Sequence, residues 1–102
     1  MTGEVIFTSE ADADLAELYD YIATHGSPAR ALTYVQRVAT FCRGLATFPE
    51  RGTRRDDLRP GLRIIGFARR DSIAFMVRPE AVVIVRILHG GRDLDALLDD
   101  RP

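Results

Sequence analysis

The sequence predicts a small α+β sandwich in the order β-α-α-β-β-β, a helical hairpin packed on a mainly antiparallel four-stranded sheet, with a short helical turn at the C-terminal end. Three observations predict it. Two stretches with helical apolar spacing stand back to back, parted only by Gly26, Ser27 and Pro28. Three runs rich in β-branched residues follow, at 62–68, 72–77 and 82–88, and joints of three or four residues force them into an antiparallel meander. Leu, Ile, Val and Phe supply 29 of the 102 residues, enough for one core, and the length is that of a single domain, 1–102.

Each element has its own warrant. Residues 4–8, Glu-Val-Ile-Phe-Thr, read as a first strand. Ser9 then reads as a helix N-cap, with Glu10 and Asp12 in the first turn, where acids satisfy free amides and favour the positive end of the dipole. Leu15, Leu18, Tyr19 and Ile22 recur at i, i+3, i+4, i+7, with Asp14, Glu17 and Asp20 between them, so an amphipathic helix spans 10–24. Gly26 ends it in the left-handed capping position. Ser27 caps a second helix with Pro28 at its first position. Its broad apolar stripe (Ala31, Tyr34, Val35, Val38, Phe41, Cys42, Leu45, Phe48) suits packing on both the first helix and a sheet, and it must stop before Pro49. Residues 49–61 form a 13-residue loop with two Pro, two Gly and four Arg, a length often reserved for function. The run 82–88 is apolar on both faces, as an interior strand should be, and its free edge is the place for the first strand. Beyond Gly90 and Gly91, Leu94, Leu97 and Leu98 suggest the final helical turn.

Charge is segregated along the chain. The formal net charge is −1, which excludes a globally basic nucleic-acid binder. All 14 cations are Arg; there is no Lys. Residues 1–50 hold three Arg and seven acids, whereas 51–70 hold seven Arg against Asp56 and Asp57. Planar guanidinium groups suit bidentate pairing with carboxylates, so the imbalance points first to an acidic protein partner. The single Cys42 lies in a helical apolar pattern and reads as a buried thiol, which makes a cytoplasmic setting the default. Two His and one Cys at unrelated positions make no zinc site, no glycine-rich phosphate loop is present, and no apolar run is long enough to span a bilayer. No cofactor, no metal and no membrane are therefore expected.

Candidate functional residues are few. Arg86 interrupts the apolar run 82–88, so its guanidinium either pairs with Asp93 or Glu80 or serves binding, and the two can coexist. Strict alternation puts it on one face with Ile84 and Leu88, and His89 on the other. Arg63 opens a strand, Arg54, Arg55 and Arg59 crowd the loop, and Arg92 and Asp93 follow the glycine pair. RNA cleavage needs a base, an acid and cations for the phosphate. Arg63 and Arg86 could hold phosphate and His89 is the acid–base candidate. No Tyr follows residue 34, and nothing marks Glu50, Asp71, Glu80 or Asp93 as a general acid or base.

The element order, together with Pro49-x-Arg51-Gly52, the Leu58–Arg63 segment Leu-Arg-Pro-Gly-Leu-Arg, and Val85-Arg86-Ile87-Leu88-His89-Gly90-Gly91-Arg92-Asp93, resembles the ParE branch of the RelE/ParE superfamily of type II toxins. The likeness covers essentially the whole chain. It implies a RelE-like fold in a cytoplasmic bacterial toxin that arrests growth and is neutralised by a ParD-type antitoxin. In the ParE branch the target class is DNA gyrase, inhibited without toxin catalysis and with no DNA binding by the toxin alone. The RelE branch instead cuts mRNA on the ribosome, and its lysines and late tyrosine have no counterpart here. The residues expected to contact antitoxin or target are Arg54, Arg55, Arg59, Arg63, Arg86, His89, Arg92 and Asp93. A nuclease would use Arg63, Arg86 and His89, and a decayed toxin would act only as an antitoxin-binding co-repressor.

Overall fold

A computed structural model describes residues 3–90. Strand β1 (Val5–Phe7) leads into helix α1 (Ser9–His25) and helix α2 (Pro28–Gly44); β2 (Thr53–Arg54), β3 (Leu62–Phe67), β4 (Asp71–Val77) and β5 (Val82–His89) follow. The sheet order is β1-β5-β4-β3-β2. β1 runs parallel to β5 and every other neighbour is antiparallel. The helical hairpin and the interior position of β5 are those the sequence predicts. The sheet has five strands and not four, because two residues of the arginine-rich loop add to β3 as β2. The expected turn at Leu94, Leu97 and Leu98 lies outside the described residues.

The core lies between the hairpin and one sheet face. Leu18 of α1 and Val38 and Cys42 of α2 meet Ile73, Phe75, Val82, Ile84 and Ile87, all buried. Burial pushes the Cys42 thiol up to about 12, so the thiolate is absent at neutral pH. On the opposite face a smaller cluster gathers Leu62, Ala74 and Val85 against Leu58, Ile64, Met76 and Val83.

Three local expectations are corrected. The N-cap of α1 is Thr8, whose hydroxyl accepts from the Ala11 amide at 3.0 Å and donates to the Val85 carbonyl at 2.8 Å; Ser9 reaches only the Glu10 carboxylate. Thr8 takes the role because its hydroxyl can cap the helix and tie it to β5 at once. Gly26 is not left-handed. It is required by close approach, since a Cβ there would stand 3.1 Å from the Ile22 carbonyl oxygen. Strand alternation also fails in β5. Ala74 pairs with Arg86 but Phe75 pairs with Ile84, so Val85 is an extra residue in a β-bulge. The bulge turns Ile84 and Ile87 to the same helix-covered side. Arg86 is therefore out of phase with Ile84, and His89, two residues beyond Ile87, returns to the helix side.

Two measurements check this layer. Thr8→Ala should cost about 1–2 kcal/mol by urea unfolding, and Ser9→Ala less than about 0.5 kcal/mol. Phe75→Ala empties a fully buried site and should cost about 3–5 kcal/mol.

Candidate functional site

The hairpin and the C-terminal half of β5 bring two polar clusters together. In the first, Arg86 donates from Nε to Asp14 Oδ2 at 2.8 Å and from Nη2 to Oδ1 at 2.9 Å, and the same carboxylate accepts the Ile87 amide at 2.8 Å. The Asp14 side chain is 5% exposed. The hydrogen bond to Asp14 raises the guanidinium's pKa against the opposing pull of burial, and the charges of Asp14, Glu10 and Glu17 add to the rise. Sequence points to Asp93 or Glu80 as the partner and places Asp14 on the polar face of α1. Yet Asp14 stands three residues after buried Ala11 and four before buried Leu18, on the stripe that faces β5. That spacing was the readable signal.

In the second cluster a fully buried carboxylate, Asp71, receives the Tyr34 hydroxyl on Oδ2 and faces His89 Nδ1 across 2.5 Å on Oδ1. Burial raises the Tyr34 pKa, and the bond to Asp71 raises it further, so the phenol stays protonated and can donate. An imidazole N–H pointed at Asp71 fixes the tautomer and directs Nε2 away from the carboxylate. The His89 ring lies 5.1 Å from that of Tyr21, which in turn lies 4.2 Å from His25. Asp14, Glu17, Leu18, Tyr21, Ile87 and His89 line one cleft of about 250 Å³. Its charged lining, apart from the imidazole, is acidic, which disfavours a phosphate beside His89. Asp71, Tyr34 and Tyr21 were missed in sequence because their pairing joins residues 18 to 37 apart in a way no local pattern reveals.

The remaining candidates lie elsewhere. Arg54 pairs with Asp56 at 3.2 Å, and Arg55 holds Asp57 through two nitrogens at 3.0 and 2.9 Å. Asp56 also accepts the Gly61 amide at 2.8 Å, which closes the loop on itself. Arg59 lies in the same loop and its amide bonds the Arg55 carbonyl. Arg63 sits in the row of Phe75 and Ile84, on the helix side, and donates to the Arg51 carbonyl at 3.3 Å. Arg86 belongs to the row of Ala74 and Ile64, on the opposite pleat, and His89 to the row of Asp71 and Phe67 at the far end of β3 and β4. Arg63, Arg86 and His89 are therefore not gathered on one face. Arg92 and Asp93 lie outside the described residues. Among the described residues there is no cluster of three or more metal-ligating side chains, and no helix is long and apolar enough to cross a membrane.

Comparison with known families decides the identity. Residues 5–94 match the model of the ParE toxin of the type II toxin–antitoxin system parDE. The chain belongs to the ParE toxin family. Toxin ParE3 of Caulobacter vibrioides is 32% identical over 96 residues, covering 94% of this chain and 95% of that protein. Among solved structures, a chain of the chromosomal ParDE system from P. aeruginosa superimposes with a TM-score of 0.74 at 28% identity, over 85% of this chain and 95% of that one. A chain of the RelBE2 toxin–antitoxin complex from Mycobacterium tuberculosis shares the fold, with a TM-score of 0.60 at 23% identity, over 87% and 99% of the two chains. The five-stranded sheet under a helical hairpin is thus the ParE/RelE architecture, and in this ParE-family toxin the Asp14–Arg86 and Asp71–His89 pairs anchor the hairpin to it.

Two outcomes follow from these contacts. Asp14→Ala leaves a largely buried guanidinium without its main partner and should cost about 3 kcal/mol or more; a double-mutant cycle with Arg86→Ala should return a coupling of about 1.5 kcal/mol or more. The Gly61 amide holds the Asp56 carboxyl below its ordinary value of 3.8, and the Arg55 hydrogen bond does the same for Asp57. Because the folded values are lowered, the order these acids give the loop is complete above the ordinary carboxylate range. It is lost as pH falls through the lowered folded values. NMR titration should place both midpoints below 3.8, with the Gly61 amide shift following Asp56.

Proposed function

We propose that this chain is the toxin of a ParDE-like pair, neutralised by a ParD-type antitoxin in the cytoplasm, and that it arrests growth by inhibiting DNA gyrase without chemistry of its own. The observation that carries the reading is the separation of Arg63, Arg86 and His89: two lie on opposite pleats, and Arg86 is held by Asp14. A phosphate-cleaving site would need its cations and its acid–base group around one phosphorus atom. Binding, in contrast, needs only complementary surfaces, and the arginine-rich half of the chain suits acidic ones.

One observation favours a second reading. Asp71 holds His89 as a general base is held in acid–base enzymes, so an mRNA endonuclease built on His89 keeps a geometric argument. Induction of the chain alone separates the two. Gyrase inhibition predicts an SOS response with gyrase-linked DNA breaks, full-length mRNA by primer extension, and reversal by co-expressed antitoxin. His89→Ala, confirmed folded by circular dichroism, should then still arrest growth. Codon-phased mRNA cleavage that disappears in His89→Ala would replace the first reading with the second. Absence of arrest from a folded wild-type chain would leave only antitoxin binding.

A further inference from the structure

The outer edge of β3 is covered along only half its length. Thr53 and Arg54 pair with Ile64 and Arg63, and the Arg55 amide bonds the Leu62 carbonyl at 2.8 Å. The backbone groups of β3 that point to this edge therefore belong to Leu62, Ile64 and, by the two-residue period of a ladder, Gly66. No strand lies opposite Gly66, and it is exposed. Gly52 is the reason. Its φ is +76°, and a Cβ there would stand 2.3 Å from the Ile64 carbonyl oxygen, so the chain crosses β3 tightly at that point and turns off.

Beside this open edge runs the outer side of α2. Arg37 lies over the rings of Tyr34 and Phe67, its Cζ 5.7 and 5.5 Å from their centroids, and Arg51 lies over Phe41 at 5.3 Å. Two shallow hollows meet at Arg37. One, of about 360 Å³, is lined by Thr40, Phe41 and Phe67. The other, of about 450 Å³, is lined by Ile22, Arg30 and Tyr34. Neither has an acidic residue in its lining. Among the described residues no carboxylate pairs with Arg30, Arg37 or Arg51. A guanidinium stacked flat on a ring keeps its N–H edge available to a carboxylate. The groove thus offers unpaired backbone, apolar hollows and unneutralised cations in one place.

We propose that an extended acidic segment of the antitoxin docks here, adding as a strand to β3 at Gly66, placing apolar side chains against Phe41 and Phe67 and carboxylates on Arg37. Strand addition supplies affinity through main-chain bonds, and the hollows and cations select the sequence. Gly66 helps because it raises no side chain against an incoming strand. The inference rests on the antitoxin reading above and adds where, and in what conformation, one segment of that partner binds.

The test uses the full chain and the full-length antitoxin encoded beside it. Hydrogen exchange of the wild-type complex should show the Gly66 amide protected on binding; an unprotected Gly66 amide in a formed complex overturns the proposal. Affinities should fall by at least about tenfold for Arg37→Glu and for Gly66→Pro, which lacks the N–H. Gly66→Ala, which keeps the N–H, should recover the affinity to within about threefold, and Arg78→Glu, on the far β4–β5 turn, should match the wild type to the same margin. Wild-type affinity in folded Arg37→Glu and Gly66→Pro places the segment elsewhere and leaves the antitoxin reading intact. Failure of the wild-type chain to bind the antitoxin overturns both. An effect of Gly66→Pro confined to self-association in ultracentrifugation identifies a second copy of this chain as the occupant and overturns the proposal.

Discussion

The structure depends on how the edge of β5 is closed. β1 is only three residues long and covers β5 from Val82 to Ile84. Beyond Ile84 a hydrophobic interior strand would present bare N–H and C=O groups beside the core. The chain closes that edge with a helix. The Thr8 amide bonds Ile84 and its hydroxyl bonds Val85, and one turn further on the Asp14 carboxylate takes the Ile87 amide. Buried backbone polar groups must find partners, and here a helix supplies through side chains what a longer strand would supply through its backbone. Arg86 neutralises the carboxylate that does this, which explains a charged residue in an otherwise apolar strand. The angle of α1 on the sheet, and with it the position of Tyr21 over His89, follows from these few bonds.

The same logic accounts for much of the arginine excess. Several cations that make the 51–70 segment look like a binding surface are occupied locally. Arg54 and Arg55 hold Asp56 and Asp57, and Arg63 holds the Arg51 carbonyl. Exposed pairs of this kind add little stability, but they order a long loop and fix β2 on β3. The cations without carboxylates lie partly outside that segment, on α2, where they rest on aromatic rings. Net charge by segment is therefore a poor map of where charge is available.

The helical hairpin, its boundary at Ser27 and Pro28, the meander and the partner of β1 were legible because each rests on local periodicity or on a joint too short for any other topology. β2 was not legible, since two residues carry no alternation. The Val85 bulge was not legible either, and that single extra residue reversed the predicted faces of Arg86 and His89. The candidate site was legible only as isolated residues. Arg86 and His89 announce themselves by standing out from their strand, but Asp14 and Asp71 do not, because acids in a helix and at a turn are ordinary. A carboxylate becomes informative when it falls on the apolar stripe, as Asp14 does between Ala11 and Leu18.

The parallel pairing of β1 with β5 also sets the order of events during synthesis. The strand that lies second in the sheet is the last of the described elements to leave the ribosome, and it holds together the first strand, the first helix and β4. Until Val82 to His89 have emerged, β1 has no neighbour, and Asp14 and Asp71 have no basic partner from β5. The nascent chain can build its hairpin early, but the sheet and both polar clusters form in one late step, when nearly ninety residues are free of the tunnel. A toxin assembled this way acquires its binding surfaces only as translation nears its end, which keeps incomplete chains inert.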